Sequence, residues 1–120
     1  MGKKINDKMT LAEEIVKKQL DFYNSSDLEG FTSTYTEDVE IYDLPSCKLR
    51  FKSRNVLLKE YADTFSKKPN ARILKRIVQG NKVIDHELYI REGMDKEASI
   101  VAIYEVDLEK KLISKVWFIK

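Results

Sequence analysis

Two side chains in this sequence combine the type and placement needed for proton transfer: Asp43 and His86. From Val39 the residues alternate, so Val39, Ile41 and Asp43 share one strand face, and Asp43 carries a carboxylate onto an apolar surface. A carboxyl in an apolar pocket has its pKa raised and can shuttle a proton near neutral pH. The plainer alternative is an aspartate that caps the turn at Leu44-Pro45. His86 stands between Ile84 and Leu88 on what reads as the inward face of another strand. It either stabilises a developing enolate oxygen or is a core histidine satisfied by one hydrogen bond. If both residues face one cavity, their titrations are coupled.

Other residues are spaced to line that cavity. Tyr104, Lys115 and Trp117 share inward parity on the last two strands, where rings supply contact area and polar tips supply orientation. The same residues can fill the core, with Lys115 snorkelling to the rim. Gln19 is a polar residue on the apolar stripe of the first helix, with Tyr23 one turn further on. Tyr61 and Phe65 on a later helix close the same space or pack as core. Arg72, Arg76, Asp85 and Glu87 read as an ion-pair ladder on the outer sheet face, or as part of a self-complementary dimer surface.

With one histidine and one cysteine, Cys47, the chain has no zinc or redox pair, and no metal or cofactor is expected. Lysine and arginine total 22 against 20 acidic residues, a net charge of +2, too little to favour nucleic acid or an anionic membrane. The basic run from Lys67 to Arg76 lacks interleaved aromatics and is faced by acids. No apolar run approaches a membrane span, and MGKKINDK lacks the apolar segment of a secretory signal. The expectation is a cytoplasmic protein, with residues 1–8 a flexible leader and 9–120 a single domain.

These residues must be positioned by helices and strands. Thr10-Leu11-Ala12-Glu13 is a capping box, and Ala12, Ile15, Val16, Gln19, Leu20 and Tyr23 then mark one buried helical face. Ser26–Glu29 reads as a second box, opening a short helix that buries Leu28, Phe31 and Tyr35. A strand runs from Val39, Lys48–Lys52 forms a short edge strand, and Ser53 caps a third helix. Gly80-Asn81 marks a two-residue hairpin between Ala71–Gln79 and Lys82–Ile90, pairing Arg76 with Asp85, Leu74 with Glu87 and Arg72 with Tyr89. A second hairpin joins Ser99–Asp107 to Leu112–Ile119. The layout is α+β, a curved antiparallel sheet wrapped as a cone around three helices.

The runs FYNSSDLEGFTSTYTEDVEIYDLP, QGNKVIDHELYI and VAIYEVDLEKKLISKVWFI resemble the nuclear transport factor 2-like superfamily, in its SnoaL-like branch. Relatives there include ketosteroid isomerase and polyketide cyclases. The resemblance spans Thr10 to Ile119 and implies a cystatin-like cone with an internal pocket, often paired into dimers through the sheet. It places Asp43 where ketosteroid isomerase keeps its general base, Gln19 at that enzyme's oxyanion-hole tyrosine and Ala102 at its second acid. One catalytic position is kept, one altered and one lost, which implies feeble steroid isomerisation or none.

The sequence therefore supports two functions. The first is a cofactor-independent isomerase or cyclase of a small apolar carbonyl compound, with Asp43 moving the proton and His86 or Gln19 steadying the enolate oxygen. The second is a non-catalytic small-molecule binding or dimerisation module using the same pocket. A homodimer is expected through the outer sheet face, where Tyr42, Val78, Val83 and Tyr89 share parity with the charged ladder.

Overall fold

The structure is a computed structural model that describes residues 9–120, so the expected leader at 1–8 lies outside the described residues. Helix α1 (Leu11–Asn24) begins at Thr10, whose Oγ1 accepts from the Glu13 amide at 3.2 Å. It buries Ala12, Ile15, Val16 and Gln19, the stripe that its periodicity predicts. The Asn24 side chain pairs with both backbone groups of Ala71, accepting from its N–H at 2.8 Å and donating to its carbonyl at 2.9 Å. That clamp fixes the end of α1 to the sheet.

Helix α2 (Leu28–Ser33) is capped one residue later than expected, by Asp27, which accepts from the Gly30 amide. Tyr35 belongs not to this helix but to the first strand, β1 (Tyr35–Asp43). The edge strand β2 (Lys48–Lys52) leads to α3 (Arg54–Ser66), where the Ser53 hydroxyl accepts from the Val56 amide. Strands β3 (Asn70–Gln79), β4 (Lys82–Ile90), β5 (Ala98–Asp107) and β6 (Leu112–Ile119) complete the sheet.

The strand order is β2-β1-β6-β5-β4-β3. All neighbours are antiparallel except β1 and β6, which are parallel. That pair corrects the wholly antiparallel expectation: β1 precedes the meander and joins it at its last strand, running in the same sense. Gly80 has φ +58°, as the first central residue of a type II′ turn requires, and Gln79 pairs with Lys82 across it.

Helix α1 lies across β3–β6 and α3 across β1 and β2. Val39, Ile41, Val83, Ala102, Val106, Ile113 and Val116 form the inner sheet face, each at most 1% exposed. Phe31 is the hub above them, with ring centroids 5.1 Å from Tyr35, Tyr61 and Phe65.

Two strands depart from simple alternation. In β3 the pairing advances two residues, from Ile73 to Lys75, while β4 advances one, from Glu87 to His86. Arg76 pairs with Asp85 as expected, but Ile73 rather than Leu74 faces Glu87, and Leu88 rather than Tyr89 faces Arg72. In β6 an extra residue, Ser114, sits between Ile113 and Lys115. Such bulges return the strand to the sheet with its facing reversed.

The facing of β4 also reverses the expectation. Val83, Asp85 and Glu87 are buried, whereas His86 is exposed and Ile84, Leu88 and Ile90 are half-buried. Arg76, Asp85 and Glu87 thus lie inside, and only Arg72 lies outside, held by Glu97 through two bonds of 3.0 Å. Burial of Asp85 is tolerated because Arg76 donates to both its oxygens, at 2.7 and 2.8 Å. The outer face is apolar too. A single cross-strand row of Leu49, Tyr42, Trp117, Ile103, Ile84 and Ile77 crosses all six strands. Beside it run Lys52, Glu40, Lys115, Glu105 and Lys82 with alternating charge. Of the residues expected on a dimer face, only Tyr42 is outside; Val78 and Val83 pack in the core and Tyr89 lines a cavity.

Candidate functional site

A cavity of about 250 Å³ lies between the helices and the inner sheet face. Five elements each contribute a phenol to its wall: Tyr23 from α1, Tyr61 from α3, Tyr35 from β1, Tyr89 from β4 and Tyr104 from β5. Glu87 enters from β4. Its carboxylate makes no hydrogen bond or ion pair with the described residues, although the residue is only 8% exposed. That combination sets its chemistry. Burial pushes its pKa from 4.5 up to about 7, the nearby charge of Asp85 adds to the rise, and Arg76 opposes it. Near neutral pH this carboxyl can both accept and deliver a proton.

Four of these phenols, Tyr23, Tyr35, Tyr61 and Tyr104, are held in the opposite role. Burial, with the Glu87 charge adding to it and Arg91 opposing, raises Tyr23 to about 12. Burial first, and then neighbouring phenols and Glu87, hold Tyr35 and Tyr104 well above their usual range. Tyr61 is raised by burial and by Tyr23, with Arg50 opposing. All four stay protonated at neutral pH and remain hydrogen-bond donors. The Tyr35 hydroxyl already donates to Gln19 Oε1 at 3.1 Å, and Gln19 Nε2 is committed to the Val16 carbonyl. Among the described residues no group of three or more His, Cys, Asp or Glu side chains is placed to hold a metal ion.

Of the residues expected to line the cavity, Gln19, Tyr23, Tyr61 and Tyr104 do so. Phe65 is buried beside them in the core, its ring 5.4 Å from Tyr23, without lining the cavity. Lys115 and Trp117 are on the opposite sheet face: Trp117 stacks on Tyr42 at 5.8 Å and Lys115 lies 4.0 Å from Glu40. The extra residue at Ser114 puts Val116 and Phe118 inside in their place.

Asp43 ends β1 with a side chain 44% exposed, 3.6 Å from Arg50, and is not among the residues lining the cavity. His86 is on the outer face, its Nε2 3.0 Å from the Ser99 hydroxyl. The two do not look across one cavity, and the structure removes the premise for coupling them. Glu87, Tyr35, Tyr89, Arg50 and Arg91 are among the cavity residues that sequence reasoning missed. One signal was present for Glu87: it shares strand parity with Asp85, the partner expected for Arg76.

No family model and no curated protein matches the chain. Solved structures do. A nuclear transport factor 2-like protein of unknown function from Cytophaga hutchinsonii superposes with a TM-score of 0.72 at 14% identity, over 93% of this chain and 91% of that one. This chain has the nuclear transport factor 2-like fold. A candidate ketosteroid isomerase from Kribbella flavida matches with a TM-score of 0.75 at 16% identity, over 91% of this chain and 76% of the other. A candidate SnoaL-like polyketide cyclase from Shewanella denitrificans gives 0.75 at 10% identity, over 92% and 90%. At these identities the likeness is one of fold. Within this fold, Ala102 pairs across the ladder with Asp85, so the inner-face carboxylates stand on β4 rather than β5.

Proposed function

We propose that the cavity is an acid/base site for a small carbonyl compound, with Glu87 as the proton shuttle in place of the exposed Asp43. One observation carries this reading: a buried, unpaired carboxyl balanced near pH 7 in a cavity walled by four protonated phenols. Glu87 would take a proton from the carbon beside the carbonyl, and a phenol would donate to the oxygen as it becomes an enolate. Where a C=C bond adjoins the carbonyl, returning the proton to the far carbon of the dienolate moves that double bond. Where the molecule holds a second carbonyl, attack by the enolate carbon closes a ring and Glu87 returns the proton to the resulting alkoxide.

Size narrows the substrate. A 150 Å³ cavity holds benzene, so about 250 Å³ suits roughly ten non-hydrogen atoms. A four-ring steroid exceeds that, which joins the loss of an acid at Ala102 in predicting feeble steroid isomerisation or none. The test is NMR detection of deuterium exchange from heavy water into a panel of small enolisable ketones. Exchange by the wild type and its loss in Glu87→Gln supports the proposal. Ligand binding without exchange by either protein points instead to a non-catalytic binding module.

We also assign self-association to the outer face, because its six-residue apolar row has no cover among the described residues. Leu49 and Ile77 are 45% and 54% exposed there. The alternating charges beside the row suit an isologous contact. Sedimentation at tens of micromolar, an order-of-magnitude choice for a standard interface, should show a dimer that Ile103→Asp converts to monomer. A wild-type monomer counts against it.

A further inference from the structure

The exposed end of the cavity has a chemistry that proton shuttling does not require. Arg50 from β2, Arg91 just beyond β4 and Lys120 beyond β6 all line it, against the carboxylates of Glu60 and Glu87. Three cations from three separate strands or their ends thus outnumber the two acids of the lining. Four of the chain's five arginines have a carboxylate within 4.0 Å: Arg50, Arg54, Arg72 and Arg76. Arg91 alone has none among the described residues. Its guanidinium lies 5.8 Å from the Tyr89 ring centroid, and that of Arg50 lies 6.0 Å from the Phe118 ring centroid. Contact with an aromatic ring steadies a guanidinium while leaving its N–H edge free to donate.

The contact between Arg50 and Asp43 is long, at 3.6 Å, and partly exposed, so it is readily exchanged for a better partner. Both arginines also act on the cavity interior: Arg91 opposes the rise of Tyr23, and Arg50 that of Tyr61. An acid seated between them would therefore stand at the opening with the rest of its molecule directed toward the phenols.

We propose that Arg50 and Arg91 form a carboxylate-binding clamp at the cavity mouth, so that the ligand is a small oxo acid with its carbonyl end inside. This rests on the acid/base reading for the carbonyl but not for the acid. A planar carboxylate matches the paired N–H donors of guanidinium groups, which hold it in one orientation. The clamp would place the carbonyl end of a molecule of roughly ten non-hydrogen atoms within the cavity, near Glu87.

The experiment measures binding alone, using phenylacetate and phenylacetamide, which match in size and differ in charge. Calorimetric or NMR titration should show the acid binding about tenfold more tightly than the amide, the discrimination of one charge-assisted contact. Arg91→Gln should bring acid binding down to the level of the amide, and an unchanged thermal midpoint shows that the fold is intact. Arg50→Gln should reduce the preference. Equal binding of acid and amide, a preference that survives Arg91→Gln, or binding of neither at millimolar concentration would overturn the clamp. So would a preference for phenyl phosphate over phenylacetate, which assigns the mouth to a different anion. Because neither probe needs to react, failure here leaves the deuterium-exchange test of Glu87 standing, and failure of that test leaves this one standing.

Discussion

Glu87→Gln is expected to make the protein more stable than the wild type at pH 8 and to leave it nearly unchanged below pH 4.5. Glu87 holds its proton to about pH 7 in the folded chain, against 4.5 for an ordinary glutamate. Between those values the folded state binds more protons than the unfolded state, so stability falls as pH rises. The contribution of protonated Glu87 is fully present below 4.5 and is lost as pH passes 7. Each pH unit between the two values is worth 1.36 kcal/mol, so the full loss is about 3 kcal/mol.

The groups facing this carboxyl account for the sign. Tyr23, Tyr35, Tyr61 and Tyr104 surround it from α1, β1, α3 and β5 without neutralising it, Asp85 adds a like charge, and Arg76 only partly offsets that. Glutamine keeps the shape and never ionises, so the variant escapes the loss. Thermal melting of both proteins at pH 4.5 and pH 8 reads the difference, expected on the order of 10 °C at the higher pH. The same variant should lose roughly 10²–10⁴-fold in exchange rate, the usual contribution of a general base. Melting curves that stay parallel across the range would place the Glu87 carboxyl in water rather than in the cavity.

The fold was legible where its signals are local, and the site was legible mainly on the helices, with Tyr104 the one strand residue placed correctly. Capping by Thr10 and Ser53 and the turn at Gly80-Asn81 each depend on a few adjacent residues, and all are present. Gln19, Tyr23 and Tyr61 sit on helices whose apolar stripe recurs over several turns, so their facing is determined several times over. Strand facing has only a period of two, and one extra residue inverts it. Ser114 does this in β6, turning Lys115 and Trp117 outward. In β4 no bulge is needed to mislead. Ile84, Leu88 and Ile90 look like a core face but occupy the outer one, while Asp85 and Glu87 look like a surface and are buried. Apolarity could not choose between two apolar faces. What decides is the Arg76–Asp85 pair, which satisfies a buried charge that would otherwise belong outside.

That pair gives the other large expected effect. Asp85→Asn should destabilise the fold by about 3 kcal/mol, because it removes the counter-charge of a guanidinium only 15% exposed. The low end of the range for a broken buried pair applies, since asparagine still accepts one hydrogen bond and Glu13 lies 3.9 Å from Arg76 as a substitute. The change should also reach the cavity. Asp85 holds the Glu87 pKa up while Arg76 pulls it down, so removing the acid leaves the arginine unopposed. Glu87 should then titrate below pH 7, and the pH at which the exchange rate is half-maximal should move the same way. A side chain that only held β3 to β4 would lower stability without moving that midpoint. Denaturant unfolding measures the first effect and a pH–rate profile the second. A loss of stability with an unmoved profile would show that Asp85 is structural and that burial alone sets the Glu87 pKa.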